Sequence, residues 1–365
     1  MYKYIPQKKR SSLRIKLGVS FYTTLRYFFW IKNNSLFVKL SDSKKYLIKK
    51  SRSKNLISEK SNGGFAREFI NTEDTACQDF VQGEFLYTAY SDSSDLYRNL
   101  SRDDSELQDG KVDNLFVAIK YINGIILEPG KIFSYWKLLG RPTKAKGYKK
   151  GMMLVNGRPV AKTAGGLCAL SNLIYWITLH TNLTVIERFR HSYDVFPDSN
   201  RTRPFGSGAT CVYNYRDLMI RNDTDNVYRL ELKIENNKLY AAWKTERPQV
   251  EQYTVFQKDH YITQEAAGVF VRHNTIYRKR VDVEAVSAGL KAQDESTGAD
   301  EAGSASFDGA GSSGAPREEF ITENHALMMY RPFIEDDGKS SSATSQAAGD
   351  AGNMEECTRV GGAYE

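Results

Sequence analysis

The sequence is poor in cysteine and contains no long apolar run. Its 365 residues include four cysteines, Cys77, Cys168, Cys211 and Cys357, and their spacings form no Cys-x-x-Cys or Cys-x-x-His pair. This excludes a disulfide-dense scaffold, and a structural zinc site is not expected. A membrane-spanning helix needs about 18 or more consecutive apolar residues, which the sequence does not contain, so none is predicted.

Apolar stretches near the N-terminus, such as residues 27–31, are also too short for the core of a signal peptide. Apolar residues make up 41% of the chain, charged residues 26% and aromatic residues 12%, so a packed core is expected over most of it. This composition excludes a wholly disordered protein or a fibre. Together these features predict a soluble, cytoplasmic protein.

Charge is distributed very unevenly along the chain. The net charge is +7, but residues 1–60 carry 16 Lys and Arg against two acidic residues, while residues 285–365 carry 5 basic and 15 acidic residues. The basic front is typical either of a solvated helix or of a segment that contacts an anionic membrane at the inner face of the cell. Because no RNP, zinc-finger or helix-turn-helix pattern is present, we expect no nucleic-acid partner.

Composition divides the chain into five parts. Residues 1–60 form the basic segment, and residues 61–284 form the main domain. Residues 285–316 are rich in Ala, Gly, Ser, Asp and Glu and cannot bury enough apolar surface to offset their ordering entropy, which predicts a disordered insertion. Residues 317–334 regain a strand-like composition and supply the last strand of the domain. Residues 335–365 are predicted to be a disordered acidic tail.

Hydrophobic periodicity predicts helices early in the chain and strands late. Residues 14–31 fit one face of a helix, although part of the segment also alternates like a strand. A second helix ends at Asn123-Gly124, and a third runs from about Leu167 to His180 with a buried stripe. Strands are predicted at residues 183–190, 209–215, 218–221, 227–234, 239–245, 269–281 and 318–331. The fold class is therefore α+β, a mixed domain with N-terminal helices and a C-terminal antiparallel sheet.

Cys168 is the leading candidate for chemistry. It follows Gly165 and Gly166 and opens the third helix, where free backbone N–H groups and the positive helix end would lower the pKa of a thiol. The two glycines would let the backbone approach the sulfur closely, as an oxyanion-binding loop requires. The alternative is that Cys168 is a small buried residue at a tight helix start.

His191 is the candidate general base. It lies 23 residues after Cys168, at the end of the strand that follows the helix. A thiol on a helix followed by an imidazole on a strand is the order found in papain-like and transglutaminase-like enzymes, an analogy of fold alone. Either Asp194 or Asp217 would orient the imidazole, and the spacing does not choose between them. These residues define a hypothetical Cys-His thiol enzyme of the amidase or acyl-transfer type.

Candidate substrate ligands surround the same helix start. Arg188 and Arg190 flank His191 and could pair bidentately with a carboxylate or phosphate, although a solvated strand face explains them equally simply. Gly165, Gly166 and Ser171 complete the predicted binding set. No Walker or dinucleotide-binding pattern is present, and neither a cofactor nor a metal ion is expected.

Four segments together resemble the VanW family. They are Leu-Glu-Pro-Gly-Lys-Ile-Phe-Ser-Tyr-Trp-Lys-Leu at 127–138, Gly-Gly-Leu-Cys-Ala-Leu-Ser-Asn-Leu at 165–173, Glu-Arg-Phe-Arg-His-Ser at 187–192 and Asp-Leu-Met-Ile-Arg-Asn-Asp-Thr at 217–224. The resemblance is best over residues 100–284. The family usually has three glycines before the Cys and a Gln directly after it, where this chain has Ala164 and Ala169. Gly208 stands where many members have Asp.

The resemblance implies an accessory role in bacterial glycopeptide resistance or cell-wall metabolism. In B-type resistance clusters, other enzymes change the end of the peptidoglycan precursor from D-Ala-D-Ala to D-Ala-D-lactate. The resemblance therefore implies a biological context and does not identify a reaction for the family. One hypothesis is thiol-dependent chemistry on the precursor. The loss of the family's polar side chains at positions 169 and 208 weakens this hypothesis. Another is non-catalytic binding of the precursor or of a cell-wall enzyme. A third is an adaptor at an anionic membrane surface.

Overall fold

The structure is a computed structural model. It describes residues 11–61, 85–97, 105–155, 158–195, 202–249, 251–282 and 318–330. The predicted insertion at 285–316 and the predicted tail at 335–365 lie outside these residues.

Helices dominate the first part of the described chain. The α-helices are α1 (Ser12–Lys32), α2 (Leu40–Ser61), α3 (Ser105–Ile122), α4 (Tyr135–Leu139) and α5 (Cys168–Leu179). The Oγ of Ser11 accepts a hydrogen bond from the N–H of Arg14 and so caps α1, which confirms the helix predicted over 14–31. In the part of the chain that the structure describes, no helix combines the length and apolarity needed to span a bilayer.

Strands dominate the later part of the described chain, and the strands among the described residues form four sheets. They are β1 (Tyr87–Asp95), β2 (Ile126–Leu127), β3 (Ile132–Ser134), β4 (Lys150–Val155), β5 (Arg158–Thr163), β6 (Thr184–Glu187), β7 (Tyr193–Asp194), β8 (Met219–Arg221), β9 (Tyr228–Glu235), β10 (Lys238–Thr245), β11 (Glu251–Ala266), β12 (Val269–Asp282) and β13 (Glu318–Met328). The sheet orders are β1-β10-β9-β2, β11-β12-β13-β7, β3-β8-β6 and β4-β5. All the strand pairs are antiparallel except β13 with β7, so the predicted α+β class is confirmed.

The β9–β10 hairpin shows how the sequence determines local structure. Asn236 and Asn237 both adopt positive φ, 51° and 59°, as the two central residues of a type I′ turn require. The strands pair from Glu235 with Lys238 to Tyr228 with Thr245, and they coincide with the strands predicted at 227–234 and 239–245. Helix α5 packs on β1 and β10, and the Nε1–H of Trp243 donates to Thr178 Oγ1 at 3.0 Å.

The strand predicted over 209–215 is wrong. Within this segment only Val212 forms a bridge, with Arg216 just beyond it. The reason lies in the backbone hydrogen bonds: the Ala209 carbonyl accepts from Ser171 Oγ, its N–H donates to Asn172 Oδ1, and the Thr210 N–H donates to the Phe189 carbonyl. Because these backbone groups already have hydrogen-bond partners, the segment does not pair with a neighbouring strand.

Helix α5 is the centre of the core. Its predicted stripe is fully buried, and Tyr135 and Trp136 of α4 are also buried. The stripe consists of Leu170, Leu173, Ile174 and Ile177. Burying four such side chains removes apolar area worth roughly 1.5–3 kcal/mol each, so this packing fixes the position of everything at the helix start.

Candidate functional site

The loop before Cys168 is packed tightly against α3 and β4. A Cβ atom on Gly165 would lie 2.1 Å from the carbonyl oxygen of Gly151, and the Gly165 carbonyl itself accepts a hydrogen bond of 2.9 Å from Asn114 Nδ2. Gly166 has a φ of +91°, and a Cβ there would meet the side chain of Lys111. Close packing and backbone conformation therefore explain why both positions are glycine, and no oxyanion-binding role is needed to explain them.

Cys168 is the first residue of α5, and its thiol behaves differently from the prediction. The residue is half-buried, and desolvation raises the pKa of its thiol, so the expected lowering is wrong. The sulfur lies 3.9 Å from the carbonyl oxygen of Cys211, to which the S–H donates. The N–H groups of Ala169 and Leu170 already donate to Gly166 O and Leu167 O. They are not available to stabilise a thiolate, and the S–H form is favoured.

His191 is held by Asn172 and Thr210. Asn172 Oδ1 accepts a 2.7 Å hydrogen bond from the N–H of Ala209, which fixes the orientation of the amide. His191 Nε2, 3.0 Å from the same oxygen, must therefore carry a proton and donate. In the neutral ring His191 Nδ1 then accepts from the hydroxyl of Thr210 at 2.9 Å. The structure thus sets one tautomer of the imidazole.

Asn172 is the functional-site residue that the sequence reasoning missed. It follows Cys168 by four residues on α5, so both side chains lie on the same face of the helix, one turn apart. The signal was a polar amide inside a mostly apolar helix, where Asn is disfavoured unless its side chain has a specific partner. A Cβ on Gly208 would lie 2.8 Å from Asn172 Oδ1, so the absent side chain at this position lets the loop lie against the His191–Asn172 pair.

Arg188 holds the loop of residues 206–208 in place. Its Nε donates to the Gly208 carbonyl at 2.9 Å, its Nη2 donates to the Gly206 carbonyl, and its Nη1 donates to Thr322 Oγ1 at 3.1 Å. The guanidinium carbon also lies 5.0 Å from the ring centre of Tyr175. Burial lowers the pKa of Arg188. These contacts use most of the donors that were predicted to bind a ligand.

Arg190 is placed differently. It is exposed, and one guanidinium N–H donates to the carbonyl of Glu323 at 3.0 Å. Among the residues that the structure describes, no carboxylate forms an ion pair with it. Ser171, by contrast, is completely buried and donates to Ala209 O at 2.9 Å, so its predicted contact with a substrate would need the core to open.

Asp194, one of the two candidate orienting acids, forms a buried ion pair. Its Oδ2 lies 3.1 Å from Arg272 Nε, and the two side chains are 5% and 3% exposed. The same oxygen accepts from the hydroxyl of Tyr330 at 2.8 Å. These contacts connect β7 with β12 and with the end of β13, which gives Asp194 a structural role.

Asp217, the other candidate acid, joins α4 to β8. Its Oδ2 accepts from Ser134 Oγ at 2.5 Å, and its Oδ1 accepts from the backbone N–H of Trp136 and of Leu218 at 3.0 and 2.9 Å. Burial raises the pKa of Asp217 to about 7, with the hydrogen bonds opposing the rise. The hydrogen bonds from Ser134 and Trp136 hold the start of α4 against the segment that precedes β8.

Cavities occur on the side of the N-terminal helices. One of about 280 Å³ lies between the start of α2, the segment that precedes it and residues 126–131, and one of about 190 Å³ lies between α1 and Tyr215. Neither is lined by Cys168 or His191. Across the described ranges, no cluster of three or more His, Cys, Asp or Glu side chains is arranged to hold a metal ion.

Comparison with known proteins places this fold and site in a family. The family model described as VanW like protein matches residues 110–244, which include Cys168, His191 and Asp217. Vancomycin B-type resistance protein VanW of Enterococcus faecalis is 32% identical over 184 residues, covering 50% of this chain and 67% of that protein. The chain belongs to the VanW family.

A second relative is more distant. The uncharacterized protein YoaR of Bacillus subtilis is 27% identical over 109 residues, which is 30% of this chain and 34% of YoaR. No solved structure matches the chain.

Proposed function

We propose that this VanW-family chain is an accessory protein of vancomycin resistance that binds the peptidoglycan precursor without transforming it. The name of the Enterococcus faecalis relative supports the resistance context. One observation supports binding over catalysis: the thiol at the centre of the family motif is half-buried, its S–H donates to the Cys211 carbonyl, and desolvation raises its pKa. A thiol needs to ionise to act as a nucleophile, and this environment opposes ionisation.

Arg190 supplies the binding group in this proposal. The guanidinium is charged at every physiological pH, and its planar fork of donors matches a carboxylate. Arg190 is exposed, uses one donor on Glu323, and lies next to His191, whose tautomer is fixed. Precursors that end in D-Ala or in D-lactate both present a terminal carboxylate. The proposed contact is therefore an ion pair between Arg190 and that carboxylate.

A titration tests this contact. We expect full-length protein to bind a UDP-linked muramyl pentadepsipeptide that ends in D-lactate, measured by isothermal titration calorimetry. Arg190→Ala should weaken binding by about tenfold or more, because a hydrogen bond to a charged group contributes roughly 1.5–3 kcal/mol.

Arg280→Ala is the matched control. Arg280 is also an exposed arginine, but it lies on β12 and pairs with Glu251 of β11 at 2.7 Å, so its loss should leave precursor affinity unchanged. Equal affinity of Arg190→Ala and wild type would contradict the proposed contact. Absence of binding by the wild type would contradict precursor binding altogether and leave a cell-wall enzyme as the partner to test.

Thiol-dependent chemistry on the precursor is the second candidate, and one observation favours it. Asn172 lies one helical turn from Cys168 on the same face of α5 and contacts His191, so its amide connects the helix that carries the thiol with the imidazole. A thiol, an imidazole and a third group that orients the imidazole are the components expected of a Cys-His enzyme. The reactivity of the thiol separates the two candidates.

Alkylation of Cys168 by iodoacetamide is expected to be slow in the native protein. Because burial raises the pKa of both Cys168 and Cys211, each should react about tenfold or more slowly at pH 7 than in the unfolded chain. Peptide mapping follows the two cysteines separately, and unfolded protein is the control. If native Cys168 reacted faster than in the unfolded chain, and if His191→Ala abolished that difference, thiol chemistry would become the first candidate.

A further inference from the structure

The outward face of α1 is a continuous apolar stripe. Its members recur every three or four residues, so they align along one side of the helix, and each is 47–72% exposed: Leu13, Leu17, Phe21, Leu25, Phe28 and Ile31. At 1.5 Å per residue the stripe is about 27 Å long. The sequence predicted this helix, but a stripe of this kind would ordinarily face the core. Exposed apolar surface of this extent marks an interaction site.

The opposite face of α1 fixes its orientation on the domain. Arg26 forms a two-point ion pair with Glu187 of β6, at 2.6 and 2.5 Å. Trp30 is buried near the end of the helix, and the hydroxyl groups of Tyr27 and Tyr213 lie 2.7 Å apart. Because these contacts hold the inner face, the apolar stripe is directed away from the protein.

The charges around the stripe determine what it can contact. Residues 1–41 contain nine Lys and Arg residues and no acidic residue, and Arg14, Lys16 and Lys32 of α1 are exposed. Such a segment is complementary to an anionic surface. A second copy of the chain would bring the same positive charges face to face, so the stripe is poorly suited to self-association.

We propose that α1 lies in the headgroup region of an anionic bilayer, with its apolar stripe inserted and its basic side chains against lipid phosphates. Beside the stripe, α1 also exposes Tyr22, Tyr27 and Phe29, which are 41–56% accessible, so its apolar surface is broader than one face. An exposed apolar helix with Lys and Arg at its flanks can bind a membrane interface without crossing the bilayer. The chain's own acidic end is the other anionic candidate. However, residues 335–365 contain only Met354, Val360 and Tyr364 as large apolar residues, too few to cover the stripe.

Vesicle co-sedimentation of the full-length protein tests this proposal. We expect binding to vesicles of phosphatidylcholine with phosphatidylglycerol, much weaker binding to phosphatidylcholine alone, and release as salt is raised. The double variant Phe21→Ser/Phe28→Ser should reduce binding to the anionic vesicles by about tenfold or more. Both side chains are exposed, so an unchanged circular dichroism spectrum is expected.

Phe116→Ser/Phe320→Ser is the matched control. It removes two exposed phenylalanines, 49% and 55% accessible, that lie on α3 and β13, and it should bind the anionic vesicles like the wild type. Equal binding by the stripe variant and the control, or no binding by the wild type, would overturn the proposal.

Two further measurements exclude the other occupants. Deleting residues 335–365 should leave vesicle binding unchanged, whereas a several-fold increase would identify the acidic end as the segment that covers the stripe. Sedimentation velocity without lipid should show the same species for the wild type and the Phe21→Ser/Phe28→Ser variant. A dimer that this variant abolishes would identify a second copy as the occupant and overturn the bilayer proposal.

Discussion

Replacing Asp194 with alanine is expected to lower the free energy of unfolding by about 3–5 kcal/mol, because a charged arginine is left buried without its partner. Arg272 is 3% exposed, and its Nε lies 3.1 Å from the carboxylate that the substitution removes. Tyr330 loses its acceptor in the same change. Urea denaturation of the two proteins measures the difference.

Two further variants separate a structural Asp194 from one that orients His191. Asp194→Ala/Arg272→Ala should lose less stability than the sum of the two single losses, since removing both charges leaves none unpaired. Asp223→Ala breaks an exposed ion pair with Arg221 and should cost no more than about 1 kcal/mol. If Asp194→Ala were as stable as wild type, the structural role would be refuted, and orientation of His191 by Asp194 would again be the role to test.

The second large effect is a dependence of stability on pH at Asp217. Burial raises the pKa of this carboxyl group from 3.8 in the unfolded chain to about 7 in the folded protein, so the folded state retains a proton that the unfolded state has lost. The stabilisation is therefore fully present below pH about 4 and is lost as the pH rises towards 7. At about 1.4 kcal/mol per pKa unit, the loss amounts to about 4 kcal/mol.

Asp217→Asn isolates this effect from other titrating groups. The amide keeps an acceptor for the two backbone N–H groups and carries no charge, so this variant should match the wild type near pH 4 and exceed its stability near pH 8. The measured quantity is the difference in free energy of unfolding between the two proteins across this range. A difference that does not change with pH would show that Asp217 is not protonated in the folded state.

Local features of the fold were predictable from the sequence. The stripe of α5, the end of α3 at Asn123-Gly124 and the Asn236-Asn237 turn each follow from a short-range rule, either helical periodicity or a backbone conformation. The return of strand character near residue 318 also indicated a strand that pairs with an earlier one, as β13 does with β12.

The candidate site was less predictable because its properties depend on contacts between distant segments. Asp194 was recognised as a candidate acid, but nothing in its neighbourhood indicated Arg272, which comes from β12. Cys168 was expected to ionise readily because the prediction considered only the start of its helix and not the residues that pack around the thiol. Burial and the internal use of the helix N–H groups reverse the direction of its pKa. Desolvation of this kind depends on tertiary packing, which no local pattern reports.

The most direct measurement of the proposed function incubates the D-lactate-terminated precursor with wild-type protein and with Cys168→Ala, and follows both binding and product. Calorimetry should give equal affinities for the two proteins, and mass spectrometry should recover the precursor unchanged from both, because the thiol takes no part. Conversion of the precursor by the wild type, and its absence with Cys168→Ala, would contradict the binding function and establish thiol chemistry in its place.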